Sequence, residues 1–299
     1  MRAHPVVWSF RVCWLLLPFT AGEAISAAVD HRSTAVAVAT AMLAWTLWAA
    51  VLVAALVPHH VTLTIVRVIT PVAPLATATA LTVGAPAELE TSTLVLGAIG
   101  LAAAILATAA AWSGALADEY VNAASYGDER RFALRVPVAF KLGPVPAFWA
   151  VMMSGLIVGP ILLAARSWIA GTVLLAAGLV VANAAIRSFH ALSRRWLVFV
   201  PAGATLVDHL VLVDPVMFPL RRIARLAPAL DGTTARDLTS GTSGLVLEIA
   251  FDAPVEIVAR TARTEGETEL VGTVLVSPVR PGAVVTEAAR RRLPTGATT

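Results

Sequence analysis

The sequence predicts a bundle of membrane-spanning helices followed by a small antiparallel β-barrel domain that ends in a helix. Three observations carry this prediction. The 299-residue chain is 58% hydrophobic and only 14% charged, against about 25% charged residues in soluble domains. Its mean hydropathy of +0.80 cannot come from one buried core, so several segments must face lipid. Beyond residue 190, long apolar runs give way to short β-branched ones.

Composition also excludes several classes of protein. Cys13 is the only cysteine, so the chain is not a disulfide scaffold. The 22 Lys and Arg residues are offset by 19 Asp and Glu residues, whereas a nucleic-acid partner requires a clear basic excess on one face. The sequence has no Walker-type glycine loop, zinc-protease motif, nucleophile elbow or dinucleotide fingerprint. We therefore expect no nucleic-acid partner, no metal, no cofactor and no catalytic residue.

The first element is a hydrophobic N-terminal segment, residues 1–33. It contains the apolar run Val12 to Val29, which Pro18 and Glu23 interrupt. Two interpretations stay open: a short or tilted first helix, or a cleavable signal peptide, because the run follows basic residues and ends among small ones. The chain therefore has six spans, or five if the segment is removed.

The remaining spans lie in residues 34–189, which we predict to form the transmembrane bundle. Each run is long enough to cross about 30 Å of hydrocarbon. The predicted spans are Thr34 to Val57, Val61 to Val83, Thr91 to Ala117, Val145 to Ala165 and Trp168 to Ile186. Pro71 and Pro74 predict a kink in the second of these runs, since proline removes a backbone donor.

Basic residues predict the orientation. With the N-terminus inside, one side carries Arg2, Arg11, Arg130, Arg131, Arg135, Lys141, Arg187, Arg194 and Arg195, while the other carries only Arg32 and Arg166. Because cytoplasmic loops are enriched in Lys and Arg, we expect a cytoplasmic loop at 118–144 and a cytoplasmic C-terminus, in a protein of the cell membrane. Removal of the first segment would leave these later loops on the same side.

The tail, residues 190–299, has the pattern of short strands joined by turns. The predicted strands are Trp196 to Val200, Ala204 to Val207, Leu210 to Val213, Phe218 to Leu226, Leu245 to Phe251, Val255 to Ala259 and Val271 to Ser277. Pro201-Ala202-Gly203 and Asp252-Ala253-Pro254 predict hairpin turns, and Asp231 to Gly244 predicts a loop. A helix from Pro281 to about Arg292 closes the domain.

Three stretches of the tail carry a family resemblance. A basic helix end leads into a tryptophan-led strand at Arg194-Arg195-Trp196-Leu197-Val198, and a later strand reads Phe218-Pro219-Leu220-Arg221-Arg222-Ile223. The run Val274-Leu275-Val276-Ser277-Pro278 then leads into the last helix. In this order the tail resembles the bacterial pleckstrin-homology-like (PH-like) domains that are attached to membrane spans.

The whole chain further resembles uncharacterised multi-pass membrane proteins of high-GC Gram-positive bacteria, through the run Ser125-Tyr126-Gly127-Asp128-Glu129-Arg130-Arg131. The resemblance implies a cytosolic PH-like domain on a membrane bundle. It implies no established activity and no catalytic residue.

Glu23 and Arg67 are the ionisable residues that fall well inside predicted spans. A charge at membrane depth costs a few kcal/mol or more, so such residues are usually paired and often functional. They are candidates for an intramembrane polar pair. In the alternative interpretation, Arg67 extends to the cytoplasmic interface and Glu23 lies near the outer end of its span.

Further candidates are basic residues and two glycines. Arg130, Arg131 and Arg135 would reach anionic headgroups or the β domain, unless the loop is solvated and its charges pair internally. A headgroup-binding or docking patch is predicted at Arg194, Arg195, Arg221, Arg222 and Arg225. Gly155 and Gly159 form a small-xxx-small pair, which serves packing within the bundle or dimerisation.

These observations favour a non-enzymatic integral membrane protein whose cytosolic domain is an interaction, assembly or regulatory module. Its partners would be the lipid bilayer and a protein bound through the β domain. A rival hypothesis is a small transporter or membrane-embedded enzyme that uses Glu23 and Arg67. A third is headgroup sensing by the tail.

Overall fold

The computed structural model describes residues 4–83, 90–261 and 264–296. The chain divides into two compact units. The helical unit comprises Met1–Tyr120 and Val145–Phe189, and the β unit comprises Val121–Pro144 and His190–Thr299. Residues 121–144, which the sequence analysis treats as a loop of the bundle, thus belong to the β unit.

Helices occupy most of the chain before residue 193. They are α1 (Pro5–Leu16), α2 (Ala21–Val29), α3 (Thr34–Leu56), α4 (His60–Ile69), α5 (Val72–Val83), α6 (Thr91–Ala111), α7 (Gly114–Asn122), α8 (Val138–Leu142), α9 (Pro144–Ala164) and α10 (Trp168–Ser193). Among the described residues, six helical segments are long and apolar enough to cross a membrane: Pro5–Val29, Thr34–Leu56, His60–Val83, Thr91–Ala111, Val138–Ala164 and Trp168–Ser193. The prediction of membrane-length helices is confirmed, and the first segment packs with Phe10 and Ala24 fully buried.

Prolines break two of these segments, and neighbouring helices satisfy the carbonyls that the prolines release. Pro18 lies in a short 3₁₀ turn between α1 and α2, and the carbonyl of Trp14, four residues earlier, accepts a 3.0 Å hydrogen bond from Trp48 Nε1. The predicted kink between α4 and α5 is present. There the Thr70 carbonyl, four residues before Pro74, accepts a 3.1 Å bond from Thr108 Oγ1. Such compensation is required where no water reaches the backbone.

Gly155 and Gly159 lie where α9 packs against α10. A Cβ atom on Gly155 would lie 2.4 Å from the Cα of Gly178, and one on Gly159 would lie 2.9 Å from the Cβ of Leu175. The two backbones therefore approach at a distance that only glycine permits. In the described structure this pair packs one helix of the chain against the next.

The described residues of the β unit form eight strands and one further helix. They are β1 (Arg130–Ala133), β2 (Trp196–Val200), β3 (Gly203–Val207), β4 (Val216–Pro219), β5 (Ile223–Pro228), β6 (Arg236–Asp237), β7 (Leu247–Thr261), β8 (Thr264–Val276) and α11 (Pro281–Arg290). One sheet has the order β1-β2-β3-β4 and the other the order β5-β7-β8-β6. Their facing apolar side chains form a shared core with Val284 and Ala288 of α11.

The structure differs from the predicted antiparallel barrel in four respects. The strands form two separate sheets and not a closed barrel, and β6 pairs with β8 in parallel. Asp252-Ala253-Pro254 is not a hairpin turn, because β7 continues through it as an irregular stretch between Ala250 and Val255. Leu210 to Val213 is not a strand, although Leu212 forms an isolated bridge with Ala259.

The other predicted strands agree better with the observed ones. The strands at Trp196 to Val200 and Ala204 to Val207 are confirmed. The single strand expected from Phe218 to Leu226 is divided into β4 and β5 by the 3₁₀ turn Leu220–Arg222. β1 was not predicted from the sequence, because a strand of four residues, two of them charged, gives too short a pattern.

Candidate interaction surface of the β unit

A buried ion pair lies at the entrance of the chain into β2. Both guanidinium nitrogens Nε and Nη2 of Arg195 donate 2.7 Å hydrogen bonds to the carboxylate of Asp208. Their side chains are 1% and 0% exposed. Nη1 of Arg195 donates a third bond, of 2.7 Å, to the carbonyl oxygen of Arg135. Arg195 therefore cannot serve as the predicted headgroup ligand, because its donors are buried and occupied.

Residues 121–144 are fixed to the sheets by main-chain and side-chain bonds. Besides the β1 pairing, the amide of Arg135 donates to the carbonyl of Ser277 at 2.9 Å. The Arg135 side chain donates to the carbonyls of Ser243 and Leu245 at 3.1 and 2.9 Å. Of the two expectations for Arg135, headgroups or the β domain, the structure shows contact with the β domain. Arg131 instead pairs with Glu129 at 2.7 Å, and Arg130 lies over the Phe132 ring.

A second connection joins the turn before β1 to the end of α11. Asp128 accepts a 2.8 Å bond from Arg290, and its carbonyl accepts a short bond from Arg291. The hydrogen bond from Arg290 is the main cause that lowers the pKa of Asp128. Burial alone would raise the pKa of Glu287, but its bonds from Arg290 and Arg291 outweigh that effect, so the pKa is lowered.

A groove of about 720 Å³ opens on the β unit between β4, the turn that follows β4, and the residues after α11. We call it the α11 groove. Its apolar lining consists of Met217, Pro219, Leu220, Ile223, Leu293 and Pro294, together with Ala202. Three arginines complete the lining: Arg221, Arg291 and Arg292.

The arginines at this groove differ in their availability. Arg291 is largely buried and is bonded to Glu287. Arg221 and Arg292 are exposed, as is Arg222, which adjoins Arg221. In the part of the chain that the structure describes, these three exposed guanidinium groups form no ion pair with an Asp or Glu side chain. They give the groove a positive charge that no described acidic side chain neutralises.

The patch predicted at Arg194, Arg195, Arg221, Arg222 and Arg225 is thus not one surface. Arg195 is buried, and Arg225 is bonded at 2.5 Å to Glu248, which also accepts a bond from Thr233. Arg194 is exposed and directly precedes Arg195. Arg221 is the member that lines the groove, and Arg222 adjoins it in sequence. Arg292 also lines the groove, and it was not selected from the sequence because the two stretches are far apart along the chain.

Glu23 and Arg67 are not brought together. Glu23 is exposed in the first turn of α2, where a carboxylate favours the positive end of the helix dipole. Arg67 Nε donates a 3.4 Å bond to the carbonyl of Ala111, and its guanidinium lies 5.5 Å from the centroid of the Trp112 ring. Arg67 therefore caps the carboxyl end of α6, and the predicted intramembrane pair is not formed between these two described residues.

Arg11, in α1, caps the carboxyl end of α3 in the same way. It donates bonds of 3.1 and 2.8 Å from Nε and Nη2 to the carbonyl of Ala55, near the carboxyl end of α3. Its guanidinium lies 5.4 Å from the centroid of the exposed Trp8 ring. Two arginines and two tryptophans thus occupy these helix ends, a pairing of residue types that is common where helices leave the bilayer.

No family model matches this chain, and neither a curated protein nor a solved structure matches it. The resemblance of the tail to bacterial PH-like domains therefore stays a prediction. No cluster of His, Cys, Asp or Glu that could hold a metal ion occurs within residues 4–83, 90–261 and 264–296.

Proposed function

We propose that this protein is a multi-pass protein of the cell membrane that acts as a non-enzymatic interaction or assembly protein, with its β unit as the cytoplasmic module that binds the partner. The observation that carries the proposal is the α11 groove, where exposed apolar surface lies beside Arg221 and Arg292, which have no acidic partner among the described residues. Concave, partly apolar surfaces with a few fixed charges are typical of binding sites.

The connection between the units supports this assignment. The chain passes from one unit to the other three times, after residues 120, 144 and 189. A partner bound by the β unit would therefore be tethered to the membrane by the same chain.

The distribution of basic residues supports a cytoplasmic β unit. Arg11 and Arg67 donate to carbonyls at the carboxyl ends of α3 and α6, and the chain continues from α6 into the segment that carries Arg130, Arg131 and Arg135. Arg32 and Arg166 lie in the connections at the opposite ends of the spans. Positively charged flanks are retained in the cytoplasm. Bacterial PH-like identity is part of the proposal and rests on the order of strands followed by α11.

The rival hypothesis, a transporter or membrane-embedded enzyme built around Glu23 and Arg67, requires both groups to face one polar cavity. Glu23 is exposed on α2, and Arg67 is bonded at the end of α6. No observation on these two residues favours that hypothesis over an interaction protein.

Site-specific photo-crosslinking tests the proposal. A photoreactive amino acid at Met217, in the groove, would be compared with one at Leu230, an exposed apolar residue of the same unit outside the groove lining. We expect a discrete adduct from position 217 in cells and none from position 230. Absence of an adduct at position 217, in a protein that is correctly folded, would argue against the β unit as the binding module.

A further inference from the structure

We propose that the α11 groove binds an acidic segment of a partner polypeptide, in which carboxylates lie on both sides of an apolar side chain. This inference rests on the proposed function and adds the chemistry of the ligand. It depends on the charge, the apolar lining and the fixed geometry of the groove.

The arginines at the groove are of two kinds: two have acidic partners, and three have none among the described residues. Arg290 and Arg291 share Glu287 and Asp128. No such partner is bonded to Arg221, Arg222 or Arg292 among the described residues. A guanidinium group has a fork of donors that matches a carboxylate, so these three positions select a ligand with several carboxylates.

The apolar lining adds a second requirement. Met217 is 44% exposed although it belongs to β4, and it lies in the groove with Leu220 and Pro294. Methionine adapts its shape to a bound apolar group. A small hydrophilic anion would leave this surface in water, whereas a peptide with one Leu, Phe or Met among its acidic residues would cover it.

The walls are held in place by the main chain. The Leu220 amide donates to the Ala202 carbonyl at 2.9 Å, and the Leu226 amide donates to the Pro294 carbonyl at 2.9 Å. A groove that is already formed loses little entropy on binding.

Arg292 has a conformation that most residues avoid. Its φ of 62° lies in the left-handed region, at the position after a helix where glycine is usual. The following Leu293 is buried, and its amide donates to the Ala288 carbonyl at 3.0 Å. An arginine at this position carries a conformational cost, and in exchange it places a guanidinium at the edge of the groove.

The experiment uses the full chain in detergent, because β1 comes from the segment between α7 and α9. The probe is a fluorescein-labelled dodecapeptide with Asp and Glu on both sides of a single Leu, and its control replaces every Asp and Glu with Asn and Gln. Fluorescence anisotropy measures both. We expect salt-dependent binding of the acidic peptide, and a loss of affinity of about tenfold or more in the Arg221→Ala/Arg222→Ala/Arg292→Ala variant, since three charge-assisted contacts are removed.

A matched variant controls for net charge. Arg32→Ala/Arg194→Ala/Arg260→Ala removes three exposed arginines outside the groove lining and should bind the acidic peptide as the unmodified chain does. Met217→Ser should weaken binding of the acidic peptide. It should not change binding of a version of the peptide in which Leu is replaced by Ser. Equal binding of the acidic and amide peptides would overturn the inference.

Two other results would also overturn it. One is direct binding of glycerol 3-phosphate with the same arginine dependence, without binding of the acidic peptide, which would assign the groove to a headgroup. The other is self-association of the chain that the groove variant abolishes, which would assign it to a second copy. A crosslinked partner at Met217 that contains no acidic segment would leave the proposed function intact and defeat only this inference.

Discussion

Arg195 and Asp208 form a bidentate ion pair at 2.7 Å in which both side chains are almost completely buried. The third donor of Arg195 is occupied by the Arg135 carbonyl. One guanidinium therefore connects three separate parts of the β unit: the segment after β1, the start of β2 and the turn after β3. The pair holds together strands that are distant in sequence.

Removal of one partner should destabilise the β unit strongly. Asp208→Asn leaves a buried guanidinium without its counter-charge, and we expect a loss of about 3–5 kcal/mol in unfolding free energy. Thermal unfolding of the purified full chain, followed by near-UV circular dichroism, measures the change.

The matched control is the double variant Arg195→Met/Asp208→Leu, which removes both charges and retains apolar volume. It should be much closer to the unmodified chain than either single variant, because neither charge is left buried alone. Single variants that unfold at the same temperature as the unmodified chain would show that the pair does not fix the β unit.

The connection between Asp128 and α11 should weaken in acid. The pKa values of Asp128 and Glu287 are lowered in the folded state from 3.8 and 4.5. A lowered folded-state pKa contributes stability that is present above the unfolded value and is lost as the pH falls.

We therefore expect the unfolding temperature to decrease as the pH drops below about 4.5. The decrease should be smaller in the variant Asp128→Asn/Glu287→Gln. Scanning fluorimetry across this range is the measurement. Identical pH profiles for the two proteins would contradict the assignment of these two carboxylates.

The close contact of α9 with α10 makes Gly155 sensitive to any added side chain. Gly155→Leu should reduce stability by about 1–3 kcal/mol, the usual range for overpacking, because the new atoms would meet the backbone of Gly178. Gly22→Ala in α2 is the control, since its Cβ would have only an ordinary contact of 3.7 Å with the Leu17 carbonyl. Equal stability of the Gly155→Leu variant would show that the helices are not packed in this way.

Glu23 and Arg67 should be energetically independent. In a double-mutant cycle with Glu23→Gln and Arg67→Met, we expect a coupling energy within about 0.5 kcal/mol of zero, as for sites without contact. Arg67→Met alone should be destabilising because it leaves the Ala111 carbonyl without its donor. A coupling of about 2 kcal/mol would restore the hypothesis of an intramembrane pair.

The sequence predicted the helical part of this fold well, because a membrane-length helix is specified locally by twenty or so apolar residues. The kink at Pro71 follows equally from local chemistry. The β unit was predicted less accurately because its pairing is non-local. β1 is recognisable only beside β2, and β7 continues past Pro254 because the irregular stretch before Val255 accommodates the proline.

The candidate site shows the same division. Arg221 and Arg222 were found because they are adjacent in sequence. Their neighbour Arg292 becomes part of the site only when α11 packs on the sheets, and Arg195 is removed from it because Asp208 lies within reach. Pairing of charges across the fold decides which arginines stay free, and one sequence does not show that pairing.

The central claim is that membrane-length helices carry the β unit on the cytoplasmic side. Cys13 is the only cysteine, so a Cys13→Ser background permits single cysteines to be placed at will. Tyr126→Cys lies at a 91% exposed position of the β unit, and Arg32→Cys lies between α2 and α3. With a membrane-impermeant maleimide on intact cells, we expect the Arg32→Cys variant to be labelled and the Tyr126→Cys variant to be labelled only after lysis. Labelling of the Tyr126→Cys variant in intact cells would show that the β unit is not cytoplasmic.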